Sequence, residues 1–161
     1  MTQEDKELLL KDLSCRLPYG VKAYVKNWSK LEWKYYEGVY TVKSTFPSLN
    51  EVHVQSEKGS VDVLLSHSDY VIKPYLFPIS SMTEEQSMEL FKLFGISLVD
   101  SIGADYIKIN ECTGITFFLN NGFDVETHLD NLIDWLHKNH FDYRGLIEKD
   151  LAIDATGLNI Y

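Results

Sequence analysis

Between Val21 and Phe77 the chain alternates apolar and polar residues with a period of two, and no other feature constrains its fold as tightly. That period sends successive side chains to opposite faces of a strand. Val21, Ala23 and Val25 alternate with Lys22, Tyr24 and Lys26, and Leu31, Trp33 and Tyr35 alternate with Glu32, Lys34 and Tyr36. Glu37-Gly38 reads as a turn into a strand over 39–43, and Pro47-Ser48-Leu49-Asn50 as a loop. Strands over 51–55 and 60–65 are joined by a tight Glu57-Lys58-Gly59 turn. Five short strands at this spacing predict a strongly bent antiparallel sheet or a small SH3-like barrel over about 21–77. Pro74 and Pro78 make 72–78 an extended crossing segment, because each disfavours helical geometry in the residue before it.

Helices are expected outside this region. Thr2 and Asp5 form a capping box with Asp in place of Glu, acids crowd the first turn, and Leu9, Leu10, Leu13 and Leu17 share one face until Pro18-Tyr19-Gly20 ends the helix. Thr83 with Gln86 is a second capping box, leading into Leu90, Phe91 and Phe94 with Gly95 as the stop. A second hairpin pairs 106–109 with 115–119 around a loop over 110–114. Asn120-Asn121-Gly122 turns the chain into a third helix over about 125–139, capped by Asp124 or Thr127, with Leu129, Leu132, Ile133 and Leu136 at helical spacing. Residues 141–161 hold Gly145 and Gly157 as breakers and show no period. At 161 residues, the pattern predicts one α+β domain over 1–161.

Fifteen Lys and Arg against 24 Asp and Glu give a net charge of −9, which argues against broad binding to nucleic acid or anionic membrane. No apolar run approaches the roughly 20 residues of a membrane span. The acidic start, with Leu8-Leu9-Leu10 cut by Lys11 and Asp12, does not resemble a signal peptide. Cys15 and Cys112 belong to no paired spacing, so reduced thiols and a cytoplasmic setting are expected.

Three groups of phrases carry a resemblance. Leu10-Lys11-Asp12-Leu13 stands with Arg16-Leu17-Pro18-Tyr19-Gly20-Val21, and Ile72-Lys73-Pro74-Tyr75-Leu76 with Ser80-Ser81-Met82-Thr83-Glu84-Glu85. Asp134-Trp135-Leu136 stands with His140-Phe141-Asp142-Tyr143-Arg144-Gly145-Leu146-Ile147. Together they cover about a fifth of the chain, and they resemble a family of short uncharacterised proteins carried by phages and prophages of gut anaerobes. The resemblance implies a mobile-element origin and a cytosolic life, and it brings no catalytic residue with it.

The charge is unevenly spread. Within residues 19–46, Lys22, Lys26, Lys30, Lys34 and Lys43 outnumber Glu32 and Glu37, a local excess of +3, whereas 47–161 holds 7 basic residues against 18 acids. The basic stretch also carries Tyr19, Tyr24, Trp28, Trp33, Tyr35, Tyr36 and Tyr40. If the polar faces adjoin, Lys22, Tyr24, Lys26, Lys34 and Tyr36 bring ammonium groups and rings together, a chemistry that holds phosphate and stacks a base. The structural alternative is a solvated sheet face whose lysines pair with Glu32 and Glu37 and discourage edge aggregation. Arg144 offers a bidentate clamp for phosphate or carboxylate, or else pairs with an acid such as Asp142 while Phe141 and Tyr143 dock the tail.

Other constellations read as structural. His137 and His140, with His128, lack a completing Cys, Asp or Glu at metal spacing and suit a helix C-terminus. Glu126, Asp130 and Asp134 continue into Lys138 as a solvated row. Ser66-His67-Ser68-Asp69 reads as a polar turn rather than a triad. The sequence carries no P-loop, dinucleotide-binding, nucleophile-elbow, zincin or EF-hand motif. The expectation is a non-catalytic cytosolic accessory protein that needs no cofactor or metal and captures a small nucleotide-like anion on its lysine and aromatic sheet face, with interference in host defence as a role. Two alternatives stand beside it: a module docking a basic host protein through its acidic surface, and a small hydrolase using His67 or the His137/His140 pair. Self-association is left open.

Overall fold

The structure, a computed structural model, describes residues 1–29, 34–57, 59–66, 70–93, 107–110, 114–117 and 129–161. The first capping box forms as expected: the Asp5 amide donates to Thr2 Oγ1 at 3.1 Å and the Thr2 amide to the Asp5 carboxylate at 2.9 Å. Helix α1 runs Gln3–Arg16 from this cap, and Gly20, in the left-handed region at φ 66°, turns the chain after Leu17–Tyr19. Leu9, Leu10 and Leu13 are buried. They pack on Val21, Ala23 and Val25 of the sheet with Val42, Val52, Val54, Val61 and Val63 in one core.

Strands β1 (Lys22–Ser29), β2 (Lys34–Phe46), β3 (Glu51–Ser56), β4 (Gly59–Leu64) and β5 (Val71–Pro78) are antiparallel neighbours in the order β4-β3-β2-β1-β5. The sheet curls strongly, since the Asn27 side chain of β1 donates to the Asp62 carbonyl of β4 at 3.2 Å across two intervening strands. Among the described residues no ladder closes it, and of the two predicted alternatives these strands form the open bent sheet rather than the barrel. The β2–β3 register slips once between Val42 and Ser44, a bulge after which Thr45 rather than Ser44 lies opposite core residue Val52. Thr45 then meets Ser14 of α1, hydroxyl to hydroxyl, at 2.6 Å.

Two sequence expectations are corrected here. Glu37-Gly38 is not a turn: β2 passes through it, with Gly38 at φ 146° opposite Val25. A glycine adopts this backbone without steric cost, and the period of two survives through Tyr36, Gly38, Tyr40 and Val42. Residues 72–78 do not merely cross; they form β5 beside β1. Pro74, which has no amide proton, lies opposite Ala23 where the other edge of β5 is still unpaired, as strand prolines require.

The chain after β5 forms α2 (Glu84–Leu93), the hairpin β6 (Ile107–Asn110) with β7 (Gly114–Phe117), and α3 (Leu129–Lys138). Thr83 and Gln86 make the second capping box, with contacts of 2.9 and 3.2 Å. Two short strands, β8 (Phe141–Asp142) and β9 (Ile153–Asp154), add parallel to β5, and the α+β sheet is therefore mixed. Leu90, Leu132, Trp135, Leu136 and Phe141 form a second buried cluster. The expected stop at Gly95, the caps at Asp124 or Thr127 and the turn at 120–122 lie outside the described residues, as do Cys112 and residues 30–33. Among the described residues no helix is long and apolar enough to cross a membrane.

Candidate ligand site

Alternation places Lys22, Tyr24, Lys26 and Trp28 on the sheet face turned away from α1, because Val21, Ala23, Val25 and Asn27 are buried beneath it. Their β2 neighbours are Thr41, Val39, Glu37 and Tyr35. Tyr36 lies opposite Asn27 and packs against the core, so it does not join Lys22, Tyr24 and Lys26; Tyr35, 62% exposed, takes that place. Lys34 lies opposite Ser29 in the same register. The inward side is set by the phase of Tyr40 and Val42, which the misread turn at Gly38 had hidden.

The outer face is largely neutralised. Lys22 Nζ donates to the Ile160 carbonyl, and Tyr24 donates to Glu37 at 2.6 Å. That hydrogen bond to a carboxylate raises the Tyr24 phenol above its usual range. Lys26 is exposed and has Glu37 directly opposite. A hollow of about 360 Å³ beside Lys22 is lined by Glu37 and Glu57 as well, which makes it a poor anion site.

Arg144 belongs elsewhere. It lies 3.3 Å from Asp12 and stacks 4.9 Å over the Tyr143 ring, donating to the Tyr143 hydroxyl at 2.9 Å. Asp12 in turn holds Arg16 through two contacts of 2.7 and 3.1 Å, and Arg16 donates to the Phe141 carbonyl at 2.7 Å. Asp12 and Arg16 are both fully buried. Tyr143 continues the network to His137 Nε2 at 2.9 Å. Asp142, the partner expected for Arg144, instead accepts the amides of Arg144, Leu146 and Ile147 at 3.2, 3.0 and 2.7 Å. The Asp12–Arg16 pair was missed in the sequence, although a signal existed: both lie within the span of the Leu9 to Leu17 stripe, and i, i+4 spacing places them together.

Burial, followed by the positive charge of Arg16, lowers His137 to about 4. Burial, then Arg16 and Lys22, lowers His140 to about 4 as well. His140 stacks on Tyr161 at 3.8 Å between centroids. Among the described residues neither imidazole has a carboxylate as its hydrogen-bond partner: His137 meets the Tyr143 hydroxyl and His140 the Tyr161 ring. His67, His128 and the Ser66–Asp69 string beyond Ser66 lie outside the described residues. Among the described residues no three His, Cys, Asp or Glu side chains group closely enough to hold a metal. Asp130, Asp134 and Lys138 of the acidic row are exposed, and Asp134 accepts the Tyr19 hydroxyl.

A second groove, of about 490 Å³, lies between the start of α1, β5 and residues 149–151. Its cations are Lys6, Lys73 and Lys149, its ring is Tyr70, and Ile72 and Leu151 supply apolar wall. Asp5 is committed to the α1 cap and lies in the field of Lys149, while Asp150 pairs with Lys73. Lys73 is therefore neutralised, and three lysines against two carboxylates leave the groove with one net positive charge, carried by Lys6 and Lys149, on a chain of −9. Its volume falls in the range of small-ligand pockets, about 300–1,000 Å³. No family model, curated protein or solved structure matches the chain.

Proposed function

We propose that this chain is a binding protein for a small phosphate-bearing anion, held in the groove between α1, β5 and residues 149–151. One observation carries the reading: Lys6, Lys73 and Lys149 converge from sequence-distant segments on a single hollow of a chain whose net charge is −9. Ammonium groups around a partly apolar wall with a tyrosine at its edge suit a nucleotide-like ligand, the lysines taking phosphate and the ring a base. The outer-face lysines singled out in the sequence fit this role less well, since Lys22 and Tyr24 already have partners there. In its wider form the reading makes the chain a cytosolic accessory protein of phage or prophage type that sequesters a host signal.

Calorimetric titration of the wild-type protein with AMP, and separately with inorganic phosphate, tests this. Saturable heat is expected with AMP, weakened roughly tenfold to a hundredfold in Lys6→Glu and in Lys149→Glu by loss of a charged contact. Lys26→Glu is expected to bind as wild type does, whereas a loss confined to Lys26→Glu would return the site to the sheet face. No heat with either probe would end the reading.

A further inference from the structure

We infer that the slot between His140 and Phe77 is a binding site for a phenolic ring, of which Tyr161 is the built-in and exchangeable occupant. The Tyr161 ring lies nearly parallel to the His140 imidazole, 3.8 Å between centroids and 12° between planes, with Phe77 at 6.1 Å on another side. The Lys22 ammonium stands 5.7 Å from the ring centroid. At its far end the hydroxyl donates to the Tyr75 carbonyl at 2.8 Å and accepts the Lys22 amide at 3.2 Å. Both hydrogen-bonding functions of a phenol and one stacking face are thus met by framework groups. Tyr161 as a whole is 43% exposed, but its hydroxyl end is buried, which pushes that group up to about 12.

The walls stand without the ring. Tyr75 and Phe77 belong to β5, which β8 and β9 pair, Lys22 belongs to β1, and the Phe77 amide donates to the His140 carbonyl at 2.9 Å. The occupant, by contrast, is lightly tethered. After the Ala155 amide meets the Leu76 carbonyl at 2.8 Å, residues 156–159 are exposed, and the Leu158 and Ile160 amides bond only within the segment. Residues 160–161 are held by the Ile160 carbonyl on Lys22 and by the contacts of the ring itself.

The slot also leaves buried polar atoms unmet. His140 takes the left-handed region at φ 57° as the residue that ends α3, and its buried Nδ1 has no hydrogen-bond partner. Behind it, Arg16 Nη1 is buried and unpartnered, and the charge of Arg16 acts on both His140 and Tyr161. A buried polar atom without a partner calls for an explanation, and a site that exchanges its occupant supplies one.

The test uses the wild-type chain with p-cresol, and toluene as the analogue lacking the hydroxyl. p-Cresol is expected to move the His140 ring resonances saturably and shift those of Tyr161 toward exposed values, with toluene roughly five- to tenfold weaker for want of about one net hydrogen bond. Tyr161→Phe keeps the ring and drops both hydroxyl contacts, so it should bind p-cresol roughly five- to tenfold more tightly than wild type. Unchanged wild-type spectra up to the solubility limit would overturn the inference. So would equal affinity for toluene, or a Tyr161→Phe variant no tighter than wild type. The groove lysines take no part here, so a failure of phosphate binding leaves this result standing.

Discussion

His137 and His140 are held neutral by burial, each lowered to about 4 against an ordinary imidazole value near 6.5. Between those two values the unfolded chain takes up protons that the folded chain refuses, so stability falls as pH drops through this window and is independent of these groups above it. We expect the urea midpoint to decline from about pH 7 to about pH 4.5, and to decline less in a His137→Gln/His140→Asn double variant. Asn is the suitable replacement at 140 because it tolerates the left-handed backbone that His140 adopts. The sequence placed both histidines near a helix end, but their burial was not legible there. It depends on Tyr143 and Tyr161, which reach them from the segment read as having no period.

At the scale of elements, local signals were legible and long-range ones were not. The two capping boxes and the Leu9, Leu10 and Leu13 stripe are written in neighbouring residues, and each forms as read. The parallel additions β8 and β9 are two residues long, too short for any period, and their partner lies over 60 residues away. What positions the intervening chain is Asp142, whose carboxylate gathers three backbone amides and so shapes the turn that delivers buried Leu146 and Leu151 to the core. Asp142→Asn turns one acceptor into a donor facing the Ile147 amide, and denaturant titration is expected to show a loss of about 1–3 kcal/mol.

Across the whole molecule, Arg16 joins the core under α1 to the second cluster, because it is held by Asp12 and donates to Phe141 of that cluster. Removing one partner leaves the other charge buried and unpaired, so Asp12→Ala should cost about 3–5 kcal/mol in chemical denaturation. Asp12→Leu/Arg16→Met together should cost less than Asp12→Ala, since the fully buried Arg16 charge is then not stranded and Arg144, the second partner of Asp12, is partly exposed. The same scale explains why the candidate groove was invisible in the sequence: Lys6, Lys73 and Lys149 lie on α1, β5 and the turn before β9, and only tertiary packing brings them to one hollow. The bulge in β2 has a consequence of its own. Lys43 is the supernumerary residue between Val42, opposite Val54, and Ser44, opposite His53. A sister chain lacking it would pair in plain succession without turning any side chain over, so the sheet has one point at which its length is negotiable.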